Sequence, residues 1–497
     1  MRSIRRHPAP AFVLAVSLTT IASAATFTVD DFGDAVDANA GDATCQTATA
    51  SCTLRAAIQE ANALAGPDVI DVPAGTVMLA IAGQAEDAAA TGDLDVTDDL
   101  TVTGAGTGST TIDAAGIDRV FDVWSSFSLS AVTVRGGDPG AGAEGGAIFS
   151  APEFDAITVT VDQVHFDTNR ANHGGAILNE LDSELTITRS SFSGNAAPFG
   201  GAIENRSDSA SLENVTISGN SSEGDAVRNS VSLALASVTL QGDLVTSTGN
   251  LSARNTIFDA TPACGGSTVV TSSGSNIDRG TSCGLGGAGD SSDTDPLLLP
   301  LADNGGGTLT HALGTGSPAI DGAATCPASG VDQRGAARPV DGDENGSELC
   351  DIGAYEFDPT APPTTTTTVF GTTTTTTLPP GCPSSPTLES TTCRVGTLRA
   401  DFVAAATPGK KSDKTARLLD KAADRLGRTQ EALAIEKTKK AVRQAGKAGK
   451  FVRKFGRKVG SAKQGPKLVA DEAAREGLRD DAVGLEADLF LLRDSLR

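Results

Sequence analysis

The chain has 497 residues and a formal charge of −23, with 39% apolar but only 4% aromatic residues. That length exceeds the size at which one hydrophobic core usually stops growing, which excludes a single compact domain. After the N-terminus no apolar run approaches the roughly 20 residues of a membrane-spanning helix, so an integral helical membrane protein is excluded as well.

Arg2, Arg5 and Arg6 precede the apolar stretch Ala11 to Ala22, and Ala22-Ser23-Ala24 offers small residues for cleavage. Residues 1–24 are therefore predicted to be a secretory signal. Export to an oxidising compartment gives meaning to the eight cysteines, which fall in sequence-local pairs: Cys45 with Cys52, Cys264 with Cys283, Cys326 with Cys350, and Cys382 with Cys393. Four local disulfides are expected, although other connectivities are allowed by count. No CxxC spacing or neighbouring histidine suggests zinc.

Residues 25–66 read as a disulfide loop and a capping helix from Leu54 to Leu64, with Thr53 as N-cap and Gly66-Pro67 as the stop. Arg55 is expected to pair with Asp68 or Glu60. Residues 67–294 then repeat one idea. Gly145-Gly146-Ala147-Ile148, Gly174-Gly175-Ala176-Ile177, Gly200-Gly201-Ala202-Ile203 and Gly224-Asp225-Ala226-Val227 recur at intervals of 29, 26 and 24 residues. They interleave with Phe166-Asp-Thr-Asn169, Phe192-Ser-Gly-Asn195 and Ile217-Ser-Gly-Asn220, each preceded by alternating strand residues. This period, with several short strands per repeat, predicts a mainly-β solenoid of stacked rungs. The larger apolar residues should fill its interior, the phenylalanines should stack, and the asparagines should occupy corners and form a ladder.

Cys52-Thr53-Leu54-Arg55-Ala56-Ala57-Ile58-Gln59-Glu60-Ala61-Asn62 resembles the N-terminal signature named for its Cys-Ser-Leu-Arg-Glu-Ala (CSLREA) core, found on secreted bacterial β-helix proteins. The GGAI and FxxN elements resemble those of the polymorphic outer membrane protein family. Residues 295–357, ending in Cys350-Asp-Ile-Gly-Ala-Tyr-Glu356, are similar to the choice-of-anchor segment that closes many such helices. The resemblance implies a right-handed parallel β-helix of the pectin lyase-like superfamily, exposed at the cell surface and implicated in adhesion. The handedness agrees with the general preference of parallel crossovers.

Some β-helices cleave polysaccharides, so acidic groups matter. Clusters stand at Asp93, Asp95, Asp98 and Asp99, and at Asp290, Asp293 and Asp295, but residues 1–397 contain no lysine. His165 should face outward beside an inward Phe166, His173 should sit at a corner, and His311 should be structural. No cationic partner for the acids is visible in sequence, and the expected function is a non-enzymatic secreted or cell-surface scaffold for adhesion or display. The alternative is a polysaccharide lyase or glycoside hydrolase of the pectin lyase superfamily, to be recognised by carboxylates and a cationic group converging on one face. Ca²⁺ is the one candidate cofactor, with Asp290, Asp293 and Asp295 as candidate ligands, and no acidic spacing is expected to match a defined calcium loop.

The charge divides the chain. Residues 26–397 carry 12 arginines against 48 acidic residues, whereas the last hundred carry 24 basic and 14 acidic groups. Residues 358–381 form a Thr/Pro-rich linker, and residues 382–497 carry four amphipathic stripes that predict a small all-α bundle. Between Lys437 and Lys467 lie twelve basic residues and no acid, among them Lys440, Lys447, Lys450, Lys454 and Lys458. This run is read as a solvated face, as a contact for envelope polyanions or anionic lipid, or as a partner of the acidic solenoid. Surface glycans and host or neighbour-cell components are further partners considered; nucleic acid is not expected.

Overall fold

In the computed structural model, the described residues are 24–360 apart from 84–85, 141, 153–155, 221–224, 243–244 and 267, together with Leu419 and Lys421. The predicted signal segment up to Ser23, the Cys382–Cys393 pair, the predicted linker after Thr360 and, apart from Leu419 and Lys421, the predicted all-α module with its lysine run Lys437 to Lys458 lie outside the described residues. No helix among the described residues is long and apolar enough to cross a membrane.

Thr53 caps the helix Leu54–Ala63 by accepting the Ala56 N–H at 3.1 Å. From there the chain winds into stacked parallel strands. Among the described residues, sixteen strands belong to one sheet and eight short strands to another, each strand pairing with its counterpart a rung away. This is a mainly-β solenoid consistent with the β-helix, pectin-lyase-like architecture.

Each rung has three faces, and left-handed residues make the corners. Within the large sheet the chain bends at Ala131, Gln163, Arg189, Asn214, Ser237, Asn255 and Ser275, all with φ between 46° and 57°. Each bend divides a rung's contribution into a first face and a second face. The third face is the eight-stranded sheet, whose strands are three residues long with the middle residue turned outward: Leu94–Val96, Phe121–Val123, Ile148–Ser150, Ile177–Asn179, Ile203–Asn205, Val227–Asn229 and Val245–Ser247; the two-residue strand Cys264–Gly265 ends it.

The GG pairs precede the third face, and their two glycines do different jobs. Gly174 takes φ 60°, a left-handed conformation. A Cβ on Gly175 would stand 2.1 Å from the Gly201 carbonyl oxygen, so only hydrogen fits between rungs. Phe166 and Phe192 stack in the interior, 4.7 Å apart and 12° from parallel. Asn169, Asn195 and Asn220 form a buried ladder, each amide reaching the next at 2.9 Å. The left-handed residue at this corner is the one before each asparagine, Thr168, Gly194 or Gly219, rather than the asparagine itself. A second ladder, not anticipated, links Asn179, Asn205, Asn229 and Ser247 at the far end of the third face.

Disulfides join Cys45 to Cys52, Cys264 to Cys283 and Cys326 to Cys350. The segment after Asp295 begins an antiparallel hairpin, Leu298–Ala302 with Thr310–Leu313, and then lies lengthwise along the second face as a strap. Thr107 donates to the Gly307 carbonyl near one end of the solenoid. Leu309 N–H binds Ser191, Thr216 binds Gln333, Ala354 N–H binds Thr239 and Ala324 N–H binds Ser275. Ile257 and Ile277, also outward on this face, pack with Ala319, Ala323 and Ile352 in a separate apolar cluster.

Candidate active site

Two strands of the third face create the site. Leu94–Val96 pairs in parallel with Phe121–Val123, which sets Asp95 directly against Asp122. Leu94, Val96, Phe121 and Val123 fill the interior, so alternation turns both aspartates outward. Asp93, just before the first strand, completes a group in which one oxygen of each carboxylate lies within 4.8 Å of the others.

The capping helix holds this group in place. Arg55 is buried and pairs with Asp34 at 2.6 Å, not with Asp68 or Glu60; Glu60 instead accepts the Gly41 N–H. Its guanidinium also donates to the carbonyls of Ala89, Gly92 and Asp93. Asn62 donates to the Asp95 carbonyl at 2.7 Å and accepts the Thr97 N–H. The residues that carry the N-terminal resemblance thus position the backbone under Asp93 and Asp95.

Arg119 supplies the cation. Its Nε lies 2.7 Å from Asp93 Oδ2, its Nη1 lies 3.8 Å from Asp122, and its guanidinium covers the Phe149 ring at 5.0 Å. Asp122 Oδ1 accepts the Trp124 indole N–H at 2.8 Å. Asp95 Oδ2 accepts the Ala89 N–H at 2.6 Å, while its Oδ1 is buried with no hydrogen-bond partner among the described residues. Burial pushes the Asp93 carboxyl up to about 8, against the pull of Arg119, and Asp118, Asp95 and Asp122 reinforce the rise. Burial likewise raises Asp95 to about 7, opposed by the Ala89 N–H. Asp118 and Asp122 are raised by the same cause.

Converging oxygen donors, one of them orphaned and buried, suit a hard cation such as Ca²⁺, whose charge would favour the ionised form that burial opposes. Asp93, Asp95 and Asp122 are therefore candidate metal ligands.

The other expected residues are dispersed. Asp98 and Asp99 turn to Gly66 N–H and Ser125, away from the group. Asp290 is occupied by Asn276 and Gly287, and Asp295 by Arg279 at 2.6 Å. His165 does face outward but is buried on the second face against Ser191, with burial lowering it to about 3. His311 bridges the Leu299 carbonyl and Ser218. His173 pairs with Glu204 at 2.8 Å and stacks on Phe199.

A second acidic group corrects the expectation that no acidic spacing matches a calcium loop. Asp321, Asp341 and Asp343 bring oxygens within 4.8 Å, and Asp341-Gly-Asp343-Glu-Asn345-Gly346 matches the first half of a calcium-loop spacing, although Ile352 stands where that loop has glutamate.

The expectation of a non-enzymatic protein is corrected here. It rested on the lack of a cationic partner for the acids. Arg119 is that partner, brought beside Asp93 by the winding of the chain, and fold and cluster together point to a catalytic site. Comparison with protein-family models, curated proteins and solved structures finds no match to this chain.

Proposed function

We propose that the protein is an exported polysaccharide-cleaving enzyme acting on uronate-containing chains by elimination. The observation that carries this reading is the convergence of Asp93, Asp95 and Asp122 with Arg119 on one outer face. The three aspartates would hold Ca²⁺, which supplies charge to neutralise a sugar carboxylate and acidify the adjacent C–H. Arg119 orients that carboxylate and stabilises the anion that develops. Asp118, raised by burial and close enough to act on both Asp93 and Asp122, is assigned to take the C5 proton; the freed pair forms the C4=C5 double bond as the C4–O bond breaks, and the departing oxygen is protonated by water. Elimination is favoured over hydrolysis because the three carboxylates are assigned to the cation, which leaves no free pair to flank a glycosidic bond as acid and base or nucleophile.

The secretory signal and a right-handed winding belong to the same reading, as does retention at the cell surface by the basic run from Lys437 to Lys467. The test is incubation of the full mature chain with uronate and neutral polysaccharides, with Ca²⁺ or chelator, beside Asp95→Asn and Asp122→Asn. Unsaturated chain ends should appear with uronate polymers and Ca²⁺ and fall at least tenfold in either variant, a loss of about 1.4 kcal/mol of transition-state stabilisation. Absence of cleavage across the panel, or cleavage indifferent to both variants, would refute the reading.

A further inference from the structure

We propose that Trp124 is the surface on which a sugar ring of the substrate stacks, and the positioning residue that orients Asp122. This rests on the polysaccharide reading above. Trp124 directly follows the strand Phe121–Val123, and its backbone N–H is tied to the Val96 carbonyl at 2.9 Å, so the side chain is rooted across both site strands. Indole has a single polar group, a donor, and it is spent on Asp122 Oδ1 at 2.8 Å. Rotation of that carboxylate is thereby restricted, and Asp122 Oδ2 is kept on the side of Arg119, 3.8 Å away.

What remains of the ring is apolar surface, and the residue is only partly buried. A pyranose presents a face of C–H groups rimmed by hydroxyls, which matches an aromatic face beside polar groups. Among the described residues, two other aromatic rings on this side are engaged. Phe149 lies under Arg119, while Phe199 contacts both His173 and Arg228 at 4.8 and 4.7 Å. Among the described residues no ring or guanidinium is stacked on Trp124. The site thus pairs an acidic cation cradle with an adjoining aromatic platform, and an extended uronate chain fits both.

Trp124 is the only tryptophan in the chain, so its emission reports this site alone. The experiment titrates the full mature chain with CaCl₂ and then with tetragalacturonate, by fluorescence and calorimetry, beside Trp124→Phe and Trp124→Ala. Thermal melting confirms that each variant is folded. Emission should change with Ca²⁺ and again with the oligosaccharide. Trp124→Phe, which keeps a ring and removes the hydrogen bond, should weaken Ca²⁺ binding severalfold while retaining most oligosaccharide affinity. Trp124→Ala should lose oligosaccharide affinity by about tenfold. Cleavage and binding that persist unchanged in Trp124→Ala overturn the inference alone. A wild-type chain that holds Ca²⁺ but neither binds nor cleaves the uronate chain overturns the inference and the polysaccharide reading together.

Discussion

Asp95 and Asp122 stand opposite each other in the register of two parallel three-residue strands, 27 residues apart in sequence and one rung apart in space. Parallel stacking repeats like side chains at about 4.8 Å, so two carboxylates at equivalent positions repel each other unless a proton or a cation intervenes. Burial raises the carboxyls of Asp93 and Asp95, and the facing Asp122 adds to the rise.

Stability should therefore depend on pH and cation together. Because burial raises both groups above the ordinary value of 3.8, the folded chain holds more protons than the unfolded chain between about pH 4 and 8. Their contribution is fully present below pH 4 and is lost as pH rises through 7 and 8. In chelator, the melting temperature should fall across this window. Ca²⁺ should restore it at pH 8 and do little at pH 5. An equal Ca²⁺ effect at both values, measured by calorimetry, would refute the assignment of these ligands.

Arg55→Met should be severely destabilising, by about 3–5 kcal/mol, because it leaves Asp34 charged and enclosed and frees three carbonyls beneath the site. Denaturant titration measures this loss. Ca²⁺ affinity should fall in parallel, since the backbone of Asp93 loses its clamp. A variant with wild-type stability would show that the arginine is not the anchor.

Replacing Asn195 with Ala breaks the middle of a buried ladder and leaves the Asn169 amide and the Phe166 carbonyl short of a partner. The expected cost is about 1–3 kcal/mol. Asn195→Asp should cost at least as much, because it places a charge in the stack. Little change in either midpoint would mean that water replaces the ladder.

Gly175→Ala tests a different contact, the approach of the Gly201 carbonyl. The added methyl must push two rungs apart, with an expected loss of about 1–3 kcal/mol. By contrast, Gly219→Ala meets no atom within 4 Å and should show only the left-handed strain at φ 68°. Reversal of that order would refute the close-approach role.

Much of the solenoid was legible because its signals are local and repeated. Ile148, Ile177, Ile203 and Val227 recur with the GG corners, and the asparagines after Phe166 and Phe192 announce their ladder. The site was not legible, because it depends on lateral register. Asp93 and Asp95 were visible as acids, but Asp122 lies a rung away in an unremarkable strand, and Arg119 precedes it at a corner. Nor does periodicity reveal what covers a face. His165 was correctly turned outward, yet it is buried on a face along which the strap lies, through contacts more than a hundred residues apart in sequence.

That strap changes how such a protein can be assembled. A bare stack of rungs can grow and fray one unit at a time, since each rung touches only its neighbours. Here Gly307, Leu309, Gln333, Ala354 and Ala324 fasten to rungs from Thr107 to Ser275, and all five follow those rungs in the chain. A chain emerging N-terminus first can wind progressively, with its second face open, and is bolted only when this late segment arrives.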